Sequence, residues 1–228
     1  ALGVDSTLEN SYGESCDAKY AKLAESKSNI IFFDLEMTHG FYDPLANSSR
    51  ILEVAVIITD KDLVELSRGQ WVVNGFSAEE LNGLADFHQR TFRDAAPGGT
   101  FPPLENSPGN GLFSDVLASA TNKEEVSKQV LALLNKHCLE KACPIAGNSI
   151  QCDRAQLLTD MPDVYHFLNH RIIDVSSFVG EMERCRPDLL EAWKEDQKAS
   201  TNYNHRALND VESSIQSMKW IRAHLFVQ

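Results

Sequence analysis

The sequence predicts an α/β fold in which a mixed five-stranded sheet carries helices on both faces. Three observations predict it. The first third of the chain holds three β-branched and aromatic runs separated by short polar stretches, the pattern of an antiparallel meander. Beyond them, stretches with apolar residues at helical spacing alternate with two short apolar runs, as in a sheet extended by parallel strands. The length, 228 residues with 43% hydrophobic and 24% charged side chains, is that of one ordinary globular domain, large enough to form a core without disulfides or a structural metal.

Residues 1–28 are rich in Ser, Glu and Asp. They have neither the apolar core of a signal peptide nor the Arg-rich, acid-poor character of a transit peptide, and are expected to be a flexible extension ahead of a single domain over residues 29–228. Ile30-Ile31-Phe32-Phe33-Asp34-Leu35 reads as a strand buried on both faces, residues 50–59 as a second, rich in Val and Ile, and residues 71–74 as a third. Ser77 and Glu80 form a capping box that opens a helix through about Gln89, because hydroxyl and carboxylate satisfy each other's orphan amides. The segment near residues 94–112 carries Pro97, Gly98, Gly99, Pro102, Pro103, Pro108 and Gly109, which forbids regular structure and marks an insertion, either a functional flap or a mobile loop. Asn122 and Glu125 cap a helix reaching about Leu139, with Val126, Val130, Leu133 and Leu134 toward the core. Residues 144–147 then read as a strand, 153–158 as a helix, 171–175 as a strand and 189–193 as part of a helical stretch. A last helix over residues 207–226 lines up Leu208, Val211, Ile215, Met218 and Leu225 on one face.

With 21 Lys and Arg against 33 Asp and Glu, the formal net charge is −12. Such acidity weighs against tight nonspecific binding to long duplexes, which rests on many cation–phosphate contacts, but leaves room for a short nucleic acid held through metal ions. No run approaches the ~20 apolar residues of a bilayer-crossing helix, so no membrane partner is expected. Five scattered cysteines, Cys16, Cys138, Cys143, Cys152 and Cys185, fit reduced thiols inside a cell. Whether the compartment is cytoplasmic or mitochondrial is not fixed by a chain that opens at Ala1. Cys138 and Cys143 share a C-x4-C spacing beside His137, but no second ligand pair follows at zinc-site spacing, so no structural zinc is expected.

Asp34 and Glu36 stand at i and i+2 on the first strand, so both side chains leave one face of the sheet. Two like charges flanked by apolar residues resist ionisation unless cations neutralise them, which points to a metal site; the ordinary alternative is a strand end that has just reached solvent. Asp153 follows Gly147-Asn148-Ser149-Ile150, where a strand gives way to a helix. Functional side chains gather at such strand ends, although an acid there also simply complements the helix dipole. His205 and Asp210 are five apart, ~140° around an ideal helix, so His205 reaches the same site only from the preceding loop and is otherwise a surface histidine. Together, Asp34, Glu36, Asp153 and Asp210 form an all-oxygen donor set that selects Mg²⁺ or Mn²⁺. Two such ions ~4 Å apart support in-line hydrolysis of a phosphodiester, with His205 taking the proton of the attacking water.

Phe33-Asp34-Leu35-Glu36-Met37-Thr38, Gly147-Asn148-Ser149-Ile150-Gln151-Cys152-Asp153 and His205-Arg206-Ala207-Leu208-Asn209-Asp210 resemble the three motifs of the DEDDh exonuclease superfamily. Within it the chain is most similar to the oligoribonuclease family, and Arg50-Ile51-Leu52-Glu53-Val54-Ala55, Arg171-Ile172-Ile173-Asp174-Val175-Ser176 and Arg186-Pro187-Asp188-Leu189-Leu190 add to the resemblance over about residues 30–226. The resemblance implies a ribonuclease-H-like fold and a homodimer that removes nucleotides from the 3′ end of very short RNA with two metal ions. It assigns the metals to Asp34, Glu36, Asp153 and Asp210 and the general base to His205. It also implies that Ser149 and Ser176 match two serines that cap a 5′ phosphate.

The chain departs from the family pattern at three places. His39 interrupts the Met-Thr-Gly-Leu order, leaving Phe41 where the family's wedging leucine stands; His170 replaces the tyrosine contributed by the partner subunit; Phe87 matches the tryptophan that packs beside the bases. An aromatic wedge stacks on a base and a histidine still hydrogen-bonds phosphate, so these changes leave the metal chemistry intact and the preferred substrate length open. Three readings follow: an exoribonuclease of short oligoribonucleotides, a broader exonuclease on longer RNA or DNA, or a nucleic-acid-binding module that keeps the fold and has lost turnover.

Overall fold

The computed structural model describes residues 21, 24, 26–40, 43, 45–200 and 204–226. Its sheet is built on β1 (Ile30–Met37), whose run of Ile and Phe is buried on both faces because helices cover each side. β2 (Ile51–Thr59) pairs antiparallel with β1 and is buried along its whole length. β3 (Glu65–Val72) pairs antiparallel with β2. β4 (Ile145–Gly147) and β5 (Ile172–Asp174) add on the other side of β1 in parallel, which gives the order β3-β2-β1-β4-β5.

The third strand begins well before the predicted residues 71–74. It is an edge strand whose first residues face water, so its Glu65, Ser67 and Arg68 carry none of the hydrophobicity that marks the buried strands. The predicted helix at 77–89 is two helices, α1 (Ala78–Asn82) and α2 (Asp86–Phe92), separated at Gly83; its start is as expected, with both hydrogen bonds of the Ser77–Glu80 capping box present. α3 (Leu112–Ala118) follows the Pro/Gly-rich segment and was not anticipated. α4 (Lys123–His137) is capped by Asn122, whose side chain accepts the Glu125 N–H. α5 (Ile150–Asp160) starts three residues earlier than expected. α6 (Pro162–Phe167) and α7 (Val175–Cys185) are new, and α8 (Pro187–Ser200) and α9 (Ala207–His224) complete the described helices.

Strand alternation sorts the core into two layers. Ile31, Phe33, Leu35, Val54 and Val56 face α4, α5 and α6, whereas Ile30, Phe32, Ala55 and Ile57 face α7, α8 and α9. A third cluster joins Leu52, Leu81, Phe92, Leu112, Phe113 and Val116 around Phe101, which is fully buried. The Pro/Gly-rich segment is thus pinned to the domain by its one aromatic residue. Cys138 and Cys143 lie buried near each other, and the Cys143 thiol donates to the Ser26 carbonyl at 2.9 Å. The expected extension at residues 1–28 falls almost wholly outside the described residues. No helix among the described residues is long and apolar enough to cross a membrane.

Candidate active site

Asp34 and Glu36 share a face of β1 with the buried Ile30 and Phe32, so the apolar strip under α9 turns acidic at the strand's C-terminal end. The first turn of α9 brings Asp210 to the same place. One carboxylate oxygen from each of Asp34, Glu36 and Asp210 lies within 4.8 Å of the others. Asp153, from the first turn of α5, stands beside this triad rather than within it: its Oδ1 accepts the N–H of Leu35, between the two β1 acids, at 2.9 Å. β4 approaches β1 closely enough to set this up because residue 147 is glycine; a β-carbon there would sit 2.7 Å from the Phe33 carbonyl oxygen.

Burial and mutual repulsion make these acids reluctant to ionise. Desolvation, followed by the charges of Asp153, Glu36 and Asp210, holds the Asp34 carboxyl well above the usual range. Glu36 is raised by burial and then by Asp210 and Glu53. Burial pushes Asp153 up to about 7 against the lowering pull of its backbone hydrogen bonds, and pushes Asp210 up to about 6 while His205 pulls it back. Asp210 Oδ1 is buried and has no hydrogen-bond partner. An orphaned carboxylate oxygen among three other acids is a donor set that a hard divalent cation satisfies.

His205 sits on the turn before α9, with φ +51°, and its ring stands nearly perpendicular to that of Phe87 with centroids 5.4 Å apart. Phe87 is 52% exposed, an aromatic surface beside the acids' end of the sheet. Ser149 and Ser176 come together, their hydroxyl oxygens 3.4 Å apart. The Ser149 N–H donates to Asp174 Oδ1 at 3.0 Å, and the Ser176 hydroxyl donates to the same oxygen at 2.7 Å. His170 is exposed in the turn before β5 and is not joined to the acidic cluster within the chain. Phe41 lies outside the described residues.

Three residues that the sequence reading gave no role complete the frame. Glu53 faces Glu36 across the β1–β2 ladder and is fully buried, yet fully satisfied: Arg206 reaches it at 2.7 Å, the Ala207 N–H at 2.9 Å and Gln70 at 2.8 Å. Arg206 also bonds Asp115 at 2.7 Å, so the residue next to His205 ties the α9 turn to β2 and α3. The signal was available in principle, since a glutamate within the apolar run of β2 is seldom buried without a paired partner. Asp174, which collects the donors of Ser149, Ser176 and Ser177, was likewise not singled out.

A family model described as Exonuclease matches residues 110–218. The oligoribonuclease of Haemophilus influenzae (strain PittGG) is 34% identical over 202 residues, 89% of this chain and 97% of that one. The probable oligoribonuclease of Drosophila melanogaster is 31% identical over 199 residues, covering 87% and 83%. Among solved structures, exonuclease I superposes with a TM-score of 0.58 at 15% identity, over 86% of this chain and 41% of that one. E. coli exonuclease I in complex with a dA13 oligonucleotide gives 0.56 at 15% identity, over 86% and 40%. The chain therefore spans well under half of the exonuclease I chains it matches, and shares with them the mixed five-stranded, ribonuclease-H-like fold.

Proposed function

The chain belongs to the oligoribonuclease family, and from that premise we propose that it is a metal-dependent 3′-to-5′ exoribonuclease that degrades short oligoribonucleotides to mononucleotides. The observation that carries this reading is the buried, unpartnered Asp210 oxygen gathered with Asp34 and Glu36. Asp34, Glu36, Asp210 and the adjacent Asp153 would hold two Mg²⁺ or Mn²⁺ ions. Bound there, such ions would supply Lewis-acid polarisation of the phosphodiester, a more acidic attacking water and charge neutralisation at the leaving oxygen.

The remaining roles belong to the chain's own side chains. His205, on its turn beside Asp210, takes the proton of the attacking water through its imidazole. Phe87 offers a half-exposed ring against which a terminal base packs. Ser149 and Ser176 present paired hydroxyls to the 5′ phosphate, oriented by Asp174. Phe41, by its place in the sequence motif, is the candidate wedge, and His170 is the residue that one subunit of a homodimer would lend to its partner's phosphate site. The net charge of −12 favours short substrates, since each phosphate beyond the metal site adds repulsion.

The test is a time course on 5′-labelled RNAs of two, seven and twenty nucleotides beside the matching DNAs, with Mg²⁺, with Mn²⁺ and with chelator. Fastest cleavage of the dinucleotide RNA supports the reading, and equal or faster cleavage of the longer strands or of DNA replaces it with a broader exonuclease. Full activity in chelator overturns the metal assignment. RNA binding without product at any length leaves a binding module.

A further inference from the structure

The turn that carries His205 is held from outside by a side chain that the catalytic reading does not use. His205 adopts φ +51°, a left-handed backbone that residues with a β-carbon rarely take up. Its C-terminal side is fixed by Arg206 and Ala207, both bonded to Glu53. Its N-terminal side is fixed by Asn110, whose Nδ2 donates to the Asn204 carbonyl at 2.8 Å and to the His205 carbonyl at 2.6 Å. The carboxamide cannot be reversed without loss, because its Oδ1 already accepts the Leu112 N–H at 3.0 Å.

Asn110 itself sits on a rigid frame. Its N–H donates to the Thr91 carbonyl at 2.8 Å, and the next N–H, of Gly111, to the Arg93 carbonyl at 2.8 Å. At Gly109 the two arms of the loop lie so close that a β-carbon would fall 2.0 Å from the Arg93 oxygen. Phe101 anchors the loop between those arms in the third core cluster. The insertion therefore ends in a closed neck, and the residue at the neck grips the histidine turn.

We propose that Asn110 is a positioning residue for His205, its carboxamide clamping the carbonyls of Asn204 and His205 so that the imidazole is presented beside the acidic cluster. This rests on the reading of His205 as the general base. Strained backbone persists where the surroundings over-determine it, and such strain gathers at functional sites. The Asn110 side chain bonds Asn204, His205 and Leu112 rather than the acids or the Phe87 ring, so its effect reaches the chemistry through the turn.

The experiment compares kcat and KM on a 5′-labelled RNA dinucleotide in Mg²⁺ for Asn110→Ala, Asn110→Asp, Asn110→Ser, His205→Ala and the Asn110→Ala/His205→Ala double variant. Asn110→Ala is expected to lower kcat on the order of tenfold to a hundredfold, as a misplaced base does, with KM within about twofold. Asn110→Asp lowers it further, because a carboxylate oxygen then faces two carbonyl oxygens, while Asn110→Ser keeps one donor and recovers part of the rate. The double variant should be no slower than His205→Ala alone. A double variant slowed by the same factor as Asn110→Ala in the wild type overturns the proposal, as does wild-type kcat in folded Asn110→Ala. If His205→Ala itself keeps wild-type kcat, it is the base assignment that fails. A readout independent of turnover is the His205 Cε1–H resonance, shifted by the ring current of the nearly perpendicular Phe87 ring. It should move toward the free-histidine position in all three Asn110 variants, and an unmoved signal also overturns the proposal.

Discussion

Without its metal, the protein should become less stable as pH rises from about 4 to 7. Folded Asp153 keeps its proton until about 7, whereas the unfolded chain releases it near the ordinary 3.8. Between those values the folded state binds more protons, so each increment of pH favours unfolding; below the window both states are protonated, and above it the loss is complete. At 1.36 kcal/mol for each tenfold step in proton affinity, Asp153 alone accounts for at most about 4 kcal/mol. For a domain of this size that corresponds to a fall in Tm on the order of ten degrees. The assay is a series of circular-dichroism melts in chelator at closely spaced pH values, for wild type and for Asp153→Asn, whose difference reports Asp153 together with its coupling to Asp34 and removes the contribution of the other titrating residues. Mg²⁺ should restore several degrees near pH 8 and little near pH 4.5, because only the ionised cluster has charge to be neutralised. A wild-type-minus-variant difference that is flat or opposite in sign across the window, or equal Mg²⁺ increments at both ends, would refute the electrostatic account of the site.

Asp210→Asn should lower turnover on the order of a hundredfold to a thousandfold while leaving the melting temperature in chelator unchanged or higher, since it removes one member of a repelling group. Rate assays and melts on the same preparation check both halves. Phe101→Ala should cost ~3–5 kcal/mol in urea unfolding, because the ring is fully buried in the third cluster; a loss below about 1 kcal/mol would mean that the Pro/Gly-rich segment is not anchored there. Arg206→Ala leaves Glu53 buried without its cation and should cost ~3–5 kcal/mol, with part regained on adding Glu53→Gln. Strict additivity of those two substitutions in denaturant titrations would exclude the ion pair as the cause.

What the sequence made legible was decided by how local each signal is. β1, β2 and the α4 face announce themselves through runs and periods that lie within ten residues, and the carboxylate motifs sit at strand and helix ends that the same patterns locate. β3 was found only at its buried end, because an edge strand needs hydrophobicity on few of its residues. α6 and α8 each begin with a proline in the first turn, a start signal that the short or polar stretches behind it do not reinforce. The pairing of Glu53 with Arg206 and the grip of Asn110 on the His205 turn join residues from ninety to more than a hundred and fifty positions apart. No period or cap encodes such contacts. Phe101 was hidden for another reason: a single aromatic among prolines and glycines reads as part of a loop until its burial is seen.

Asp34 lies on the first strand and Asp210 on the last described helix, yet their oxygens meet in one cluster. A ribosome building this chain therefore holds a nascent polypeptide with an incomplete metal cage until α9 has left the exit tunnel. The order of synthesis is thus also the order of assembly: the acidic cluster closes only when Asp210, made last of its members, packs against the strand that was made first.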